Sequence, residues 1–587
     1  MFGRFLLAVL LLIPSLACGN EVKIGTRIDG LSFKDTRYLS RTLDDLPPSK
    51  ATVLVFTTTS CPLVGRYLPH LSKLEKEYRS KGVQFVNLDC EADGSIRAAA
   101  AQAVEHDIEY PVCRDTTGNC ARLLGVTKVP QVVVLDAERR LRYRGRIDDR
   151  YRPGGARPSA TRNDLEEALT DLLAGKEVRV PETPVDGCLI TPPTELQEKT
   201  PVTFADHIAP ILHKHCVECH RPGTAAPFAL VTYEDVAGKA NTIAEVVRDE
   251  RMPPWYGAPA HTEFINQRGL SARERQLIQQ WAKSGRLRGT EAKLPKPLPS
   301  EQNRWKIGTP DLIIKAPQHE LPAEGIVEYK YVLLPYLFTH DTWVQGVQIL
   351  PDNPRVLHHC NMAWLKLGEK FSMNNFITGT VPGGGPMTLD SGVGLKIPAG
   401  AMLVLQVHYV TTGKPEKCQI SVGFKYASGT IDRHLRFQLV DDHKFAIPPG
   451  APAHRVASSR ILPVDALGMG LFCHMHLRGK DMTFRAHYPD GRSETLLIIP
   501  NYNFDWQHAY RWELGKKKLP RGTRLEVIAR YDNSSFNPFN PDPKATVRDG
   551  QQTFHEMMNG FVFYVDENEK LGLHIDGKTG RVKPSAR

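Results

Sequence analysis

Three patterns of apolar and polar positions follow one another along the chain. In the first, short apolar runs alternate with helical spacing: Val53-Leu54-Val55-Phe56 predicts a buried parallel strand, and Tyr67, Leu71, Leu74 and Tyr78 then share one helical face. Val83 to Leu88 predicts a second strand, and Val132 to Leu135 a later one preceded by Val129-Pro130. A helical stretch comes next, and its last element opens on the capping box Ser271-Ala272-Arg273-Glu274, buries Leu277, Ile278 and Trp281, and stops at Gly285. From Trp305 onward, short β-type runs lie between Pro, Gly and Asn turns, which predicts β-sandwiches. Proline-rich stretches at 179–201 and 289–310 separate the three regions and read as extended, semi-rigid linkers.

The first residues depart from all three patterns. Arg4 precedes an apolar run from Phe5 to Pro14, and Ser15-Leu16-Ala17 follows, the layout of a cleavable signal peptide over residues 1–17. A spanning helix takes about 20 apolar residues, so the expected location is periplasmic or otherwise exported. Membrane attachment would require lipidation of Cys18, and Ser15 is a poor match to a lipoprotein motif. The formal charge of +10 is spread over 587 residues without a dense Lys/Arg run, which argues against nucleic acid as a partner. The eleven cysteines are unevenly spaced, so each cluster is expected to have its own task.

Cys61 falls between a predicted strand and helix, with Pro62 at the first helical position. A helix N-terminus favours the thiolate, the reactive form of cysteine. Position 64, where a dithiol pair would carry its second cysteine, is Val64. Cys90 ends the next parallel strand and is the expected resolving partner for an oxidised Cys61, with Cys113 and Cys120 as alternatives. Residues 22–178 resemble the redoxin branch of the thioredoxin fold, with Pro130 at that family's cis-proline position and Thr58 keeping the Thr-x-x-Cys of peroxiredoxins. Leu54 replaces a proline of that motif. The resemblance implies an α/β domain with thiol chemistry at Cys61, or else a degenerate domain with inert cysteines.

Cys216-Val217-Glu218-Cys219-His220 is a C-x-x-C-H motif. Its two thiols can add across the vinyl groups of heme c while the histidine ligates iron. A zinc site would need a second paired-ligand cluster, which His213 and His215 do not supply. Met252, between Arg251 and Pro253-Pro254-Trp255, is the expected sixth ligand, with His207 or His261 as alternatives. The stretch from Phe204 to Gly223 and the MPPW segment resemble cytochrome modules of large periplasmic oxidoreductases, which implies a small all-α cytochrome c domain over 202–288.

The β-rich region carries an ordered set: His358-His359, His408, His474-Met475-His476 and Met557. His474 and His476 on a strand would share a face, imidazoles suit copper in either state, and a thioether prefers Cu(I). His358 and His359 are neighbours, so joint ligation requires a bulge or twist in their strand. VLHH, VLQVHY, HMHLRGK and HEMMNGFVFY resemble the copper type II, ascorbate-dependent monooxygenases, the family of peptidylglycine alpha-hydroxylating and dopamine beta-monooxygenases. The resemblance implies two jelly-roll domains, over 311–428 and 429–587, and two copper ions. His358, His359 and His408 would hold the electron-storing copper; His474, His476 and Met557 would hold the oxygen-activating one. Phe472 and Phe561 replace the arginine and tyrosine that bind a substrate carboxylate in the peptide-hydroxylating member. The expected partners are therefore O2 and a small organic substrate other than a glycine-extended peptide, with electrons entering through the fused heme from an ascorbate-like reductant or a quinol-chain cytochrome. Two other readings are an electron carrier or copper-binding protein without oxygenase activity, and a thiol peroxidase acting through Cys61.

Overall fold

The computed structural model describes residues 22–191, 201–224, 226–258, 261, 263–290, 294–295, 305–381 and 384–584. The expected signal peptide, Cys18 and part of each proline-rich stretch lie outside these residues.

The first region is built on a seven-stranded mixed sheet. Its strands are β1 (Ser32–Asp35), β2 (Ser40–Thr42), β3 (Ala51–Thr57), β4 (Val83–Asp89), β5 (Val112–Arg114), β7 (Gln131–Asp136) and β8 (Leu141–Gly145), in the order β2-β1-β5-β4-β3-β7-β8. The short β6 (Lys128–Val129) precedes β7 outside this sheet. Central β3 pairs parallel with β4 and antiparallel with β7, and all its residues but Thr52 are buried, as a continuous apolar run requires of a strand covered on both faces. Helix α1 (Pro62–Arg79) starts at Cys61 and turns Tyr67, Leu71, Leu74 and Tyr78 into the same core. Helices α2 (Ile96–Glu105), α3 (Asn119–Leu123) and α4 (Asp164–Leu173) complete the layers, and the Val129-Pro130 peptide is cis.

The first proline-rich stretch is not a free linker. After the hairpin β9 (Tyr151–Arg152) and β10 (Gly155–Ala156), the chain returns to the sheet edge. Arg144 N donates to Pro181 O at 2.9 Å and Thr183 N to Arg144 O at 3.2 Å. β11 (Cys188–Leu189) then pairs antiparallel with β6. Prolines tolerate an edge, where no second ladder is needed.

Helices α5 (Ala209–His215), α6 (Tyr233–Ala237), α7 (Ala240–Arg248) and α8 (Ala272–Lys283) follow. The Ser271/Glu274 capping box is formed in both directions, and α8 buries Leu277, Ile278 and Trp281 against Phe204 and Ile243. Gly285 has a φ of +83°, which lets the chain leave the helix at little steric cost.

The remaining chain is β-rich. One four-stranded sheet orders Lys330–Phe338, Ala401–Tyr409, Leu357–Leu365 and Phe376–Thr380, and shares a core with a second sheet built on Thr342–Pro351 and Ile420–Tyr426. A second pair of sheets joins Arg436–Asp441, Asn559–Asp566, Ala466–His474 and Ala509–Arg511 to His454–Ile461, Arg524–Tyr531, Gly479–His487 and Ser493–Ile499. Tyr38 and Ile96 of the first region, with Trp255, Tyr256 and Phe264 of the helical one, enter this second core. Buried or half-buried ion pairs reinforce the junction: Lys34 to Asp249 at 2.5 Å, Arg97 to Glu250 at 2.5 Å and Arg37 to Asp532 at 3.1 Å.

Candidate functional site

Cys61 is the N-cap of α1, four residues beyond the buried strand β3, and is 4% exposed. Its Sγ lies 3.6 Å from Val129 O, beside cis-Pro130. Its partner is Cys188, in a disulfide that spans 127 residues. This corrects the expectation of Cys90, Cys113 or Cys120. Cys90 Sγ donates to Thr57 O at 3.1 Å, and burial pushes its thiol up. Burial likewise raises Cys113 well above the ordinary thiol and Cys120 to about 12. All three are buried thiols, Cys90 just past β4, Cys113 in β5 and Cys120 in α3, and burial makes them poor nucleophiles.

In the helical region, Cys216 is the C-cap of α5, and the turn beyond it is tied by Cys219 N and His220 N donating to Cys216 O at 3.0 and 2.9 Å. Both thiols are free, and Cys219 is exposed. His220 Nδ1 lies 3.1 Å from Phe228 O; donation to that carbonyl leaves Nε2 for a ligand role, so the motif fits covalent heme c. Met252 is half-buried after α7, with its N donating to Val246 O at 3.2 Å. The alternative ligands are engaged elsewhere: His207 Nδ1 accepts from Thr203 N at 3.2 Å, and His261 Nε2 is 3.1 Å from Glu105 Oε1.

The bulge that joint ligation requires is present. Across the Leu357–Leu365 and Ala401–Tyr409 strands, Leu357 pairs with Tyr409 and His359 with His408, which leaves His358 as the extra residue. One ring atom from each of His358, His359 and His408 lies within 4.8 Å of the others. His358 Nδ1 is 3.1 Å from His359 Nδ1, and its Nε2 donates to Asp505 Oδ1 at 2.9 Å. Burial, then the neighbouring His408, His358, His474 and His476, hold His359 well below the usual imidazole value; burial and His358 lower His408 to about 4. Neutral imidazoles with free lone pairs are what a metal needs, and the buried His408 Nδ1 has no hydrogen-bond partner among the described residues. This set therefore fits a copper ion.

His474 closes its strand and His476 lies just beyond, with ring centroids 5.1 Å apart. His474 Nδ1 donates to Gln507 Oε1 at 2.6 Å, and His476 Nδ1 is 3.3 Å from His555 O, so each ring keeps Nε2 available. Burial lowers both pKa values. Met557 Sδ is 3.7 Å from Asn559 Nδ2. Asn559 is the cross-strand partner of His474, and two imidazoles with a thioether are donor types that fit Cu(I). Glu556 organises this corner by accepting from His476 N at 2.8 Å, Arg478 N at 2.6 Å and Met557 N at 3.3 Å. Its burial raises the carboxyl to about 8 against the pull of those donors.

Phe504 joins the two histidine sets: its ring centroid is 5.4 Å from His358, 5.9 Å from His359 and 6.1 Å from His476. A cleft of about 80 Å³ opens beside it, lined by His476, Asn501, Asp505, Tyr256 and Tyr38 among others. Phe472 and Phe561 are cross-strand partners with rings 5.9 Å apart, and Phe376 of the other sandwich packs on Phe561 at 5.5 Å. The sequence alone assigns no role to Phe504, Asp505, Gln507 or Glu556, the last of which stands inside the HEMMNGFVFY motif. The first three come from one irregular loop, where no periodicity marks them. Cys360, Cys418 and Cys473 are free, buried thiols.

The AhpC/TSA family model matches residues 24–144. The thiol-disulfide oxidoreductases ResA of Bacillus thuringiensis and Bacillus cereus are each 27% identical over 119 residues, 20% of this chain and 67% of theirs. Among solved structures, a hypothetical protein from Sinorhizobium meliloti 1021 is 26% identical, covers 29% of this chain and 95% of its own, and has a TM-score of 0.27. A secreted Mycobacterium tuberculosis disulfide oxidoreductase homologous to E. coli DsbE is 17% identical over 25% of this chain and 95% of its own, with a TM-score of 0.19. The matched stretch contains Cys61 and cis-Pro130 and coincides with the seven-stranded sheet. The N-terminal part of the chain is therefore a thioredoxin-like redoxin domain, followed by a large β-rich region with few helices.

Proposed function

We propose that the chain is an exported oxidoreductase whose β-rich region binds copper at His358, His359 and His408 and again at His474, His476 and Met557, and hydroxylates a small organic molecule with O2. The observation that carries this reading is the bulge at His358, which brings three imidazoles of neighbouring strands together opposite a second histidine pair. Bound copper would supply one-electron chemistry toward O2, and heme c held by Cys216, Cys219, His220 and Met252 would supply electrons from within the chain.

The protein's own residues prepare the sites. Gln507 and the His555 carbonyl fix the ring tautomers of His474 and His476. Glu556 holds the backbone of His476, Arg478 and Met557 in one frame. Phe504 packs its ring against both sets. The phenyl rings of Phe472, Phe561 and Phe376 offer no charge to a carboxylate, so the reading favours an apolar or neutral substrate over a glycine-extended peptide.

The test is metal and heme content of the purified exported protein, followed by a search for products that gain one oxygen atom from labelled O2. Two coppers with O2-dependent product formation support the oxygenase; one or none without product supports a carrier or copper-binding protein. The redoxin match favours a second reading, in which Cys61 consumes peroxide; unchanged peroxide consumption in Cys61→Ser would end it.

A further inference from the structure

The strand that carries Cys188 lies on the redoxin domain as an extended peptide would. Cys188 stands opposite Val129 and Leu189 opposite Lys128, Ile190 N donates to Thr127 O at 2.9 Å, and Lys128 Nζ donates to Val185 O at 3.2 Å. Edge pairing of this kind reads backbone rather than side chains. Gly187 permits it: a Cβ there would lie 2.3 Å from Val129 O. Upstream, Arg179 is anchored to Asp171 at 3.0 Å, and residues 181–183 are anchored by Arg144, by Arg146 N to Thr183 Oγ1 at 3.1 Å and by Tyr143 Oη to Thr183 Oγ1 at 2.6 Å, so the grip on the strand at Cys188 itself is short. Of the two sulfurs, Cys61 is buried in the domain, whereas Cys188 is half-buried next to Leu189, which is 68% exposed.

We propose that Cys61 and Cys188 form an exchangeable dithiol–disulfide couple, in which an external dithiol enters at Cys188 and residues 185–190 leave β6 on reduction. A donor thiolate attacks Cys188 Sγ, a donor–Cys188 disulfide forms, and the Cys61–Cys188 bond breaks with its electron pair leaving on Cys61 Sγ. That sulfur sits at the N-terminus of an 18-residue helix, where the partial positive charge stabilises a leaving thiolate and speeds exchange. The donor's second thiolate then attacks its own sulfur in the mixed disulfide and expels Cys188 as a thiolate. The donor is oxidised to its disulfide, and its two protons end on Cys61 and Cys188. Without the covalent tie, few backbone hydrogen bonds hold the strand, and it is displaced from the edge. The inference rests on the Cys61–Cys188 contact and is independent of the metal and peroxide readings.

The test uses the full-length protein. Exposure to the monothiol glutathione, alkylation and peptide mapping should place the glutathione adduct on Cys188 and the alkyl group on Cys61. After reduction with dithiothreitol, amide hydrogen exchange across residues 187–190 should quicken by about tenfold or more while residues 181–183 are unchanged. A glutathione adduct on Cys61, a disulfide that survives excess dithiothreitol in the native protein, or unchanged exchange after reduction would each overturn the proposal. Gly187→Ala, which blocks close approach to Val129, should slow re-formation of the disulfide by about tenfold or more; wild-type speed would contradict the assigned geometry.

Discussion

Trp255 ties the loop that follows Met252 to the second β-sandwich, and its removal should be costly. The side chain is 3% exposed, edge-on to Tyr510 at 4.9 Å, stacked with His508 at 6.4 Å and tilted on Phe264 at 6.2 Å. A buried tryptophan removes roughly 150–250 Å² from water, and at about 25 cal/mol per Å² this corresponds to ~4–6 kcal/mol as an upper estimate. Measured Trp→Ala costs of about 3–5 kcal/mol agree with that figure. We expect Trp255→Ala to destabilise the second sandwich by about 4 kcal/mol, which for a unit of its size lowers its melting temperature by roughly 8–16 °C. The hydrogen bond from Arg97 Nη1 to Trp255 O at 2.7 Å uses the backbone and survives the substitution, so the loss isolates the ring. Scanning calorimetry on the full chain measures it, with proteolysis of residues 257–270 as a second readout. A transition unmoved within about 2 °C would refute the shared core.

Three further outcomes follow from the second histidine set and its supports. Glu556→Ala leaves the N–H groups of His476, Arg478 and Met557 without their acceptor and should cost about 3 kcal/mol or more by urea unfolding, with Glu556→Gln milder; equal, small losses would contradict the role given to the carboxylate. Gln507→Leu frees the Nδ1 of His474 and should weaken copper binding by about tenfold or more in calorimetric titration, an unchanged affinity being the contrary result. Burial lowers His508 to about 3, so the folded ring stays neutral where the unfolded chain protonates below about 6.5. Its contribution is complete above pH 6.5 and is lost as pH falls toward 3, by up to about 5 kcal/mol. His508→Phe should therefore lose less stability than the wild type between pH 7 and pH 4; parallel curves would contradict this.

What could be read from the sequence was what local chemistry dictates. The run at residues 53–56 has to be a buried strand, Pro62 has to open a helix, and Ser271 with Glu274 has to cap one, so these elements stand where their residue types put them. The bulge at His358 was also legible, because adjacent side chains on a regular strand point apart. Cys188 was not. It lies in a proline-rich stretch whose composition says extended chain, and composition does not say what an extended chain lies against. Cys90, Cys113 and Cys120 are nearer by topology, yet the fold buries them. Gln507 and Phe504 reach the histidines from a loop of 500–508, where position is set by packing of Tyr502 and His508 on both sides and not by any period. His476 was expected on the strand with His474; the strand ends at His474, two residues earlier, and Glu556 holds His476 in place instead.

Copper stoichiometry after reconstitution, measured together with heme content on the full-length protein, tests the proposed pair of metal sites most directly. Two coppers per chain should bind to the wild type and one to His359→Ala, with heme unchanged in both. A single copper that His359→Ala does not remove, or none at all, would contradict it.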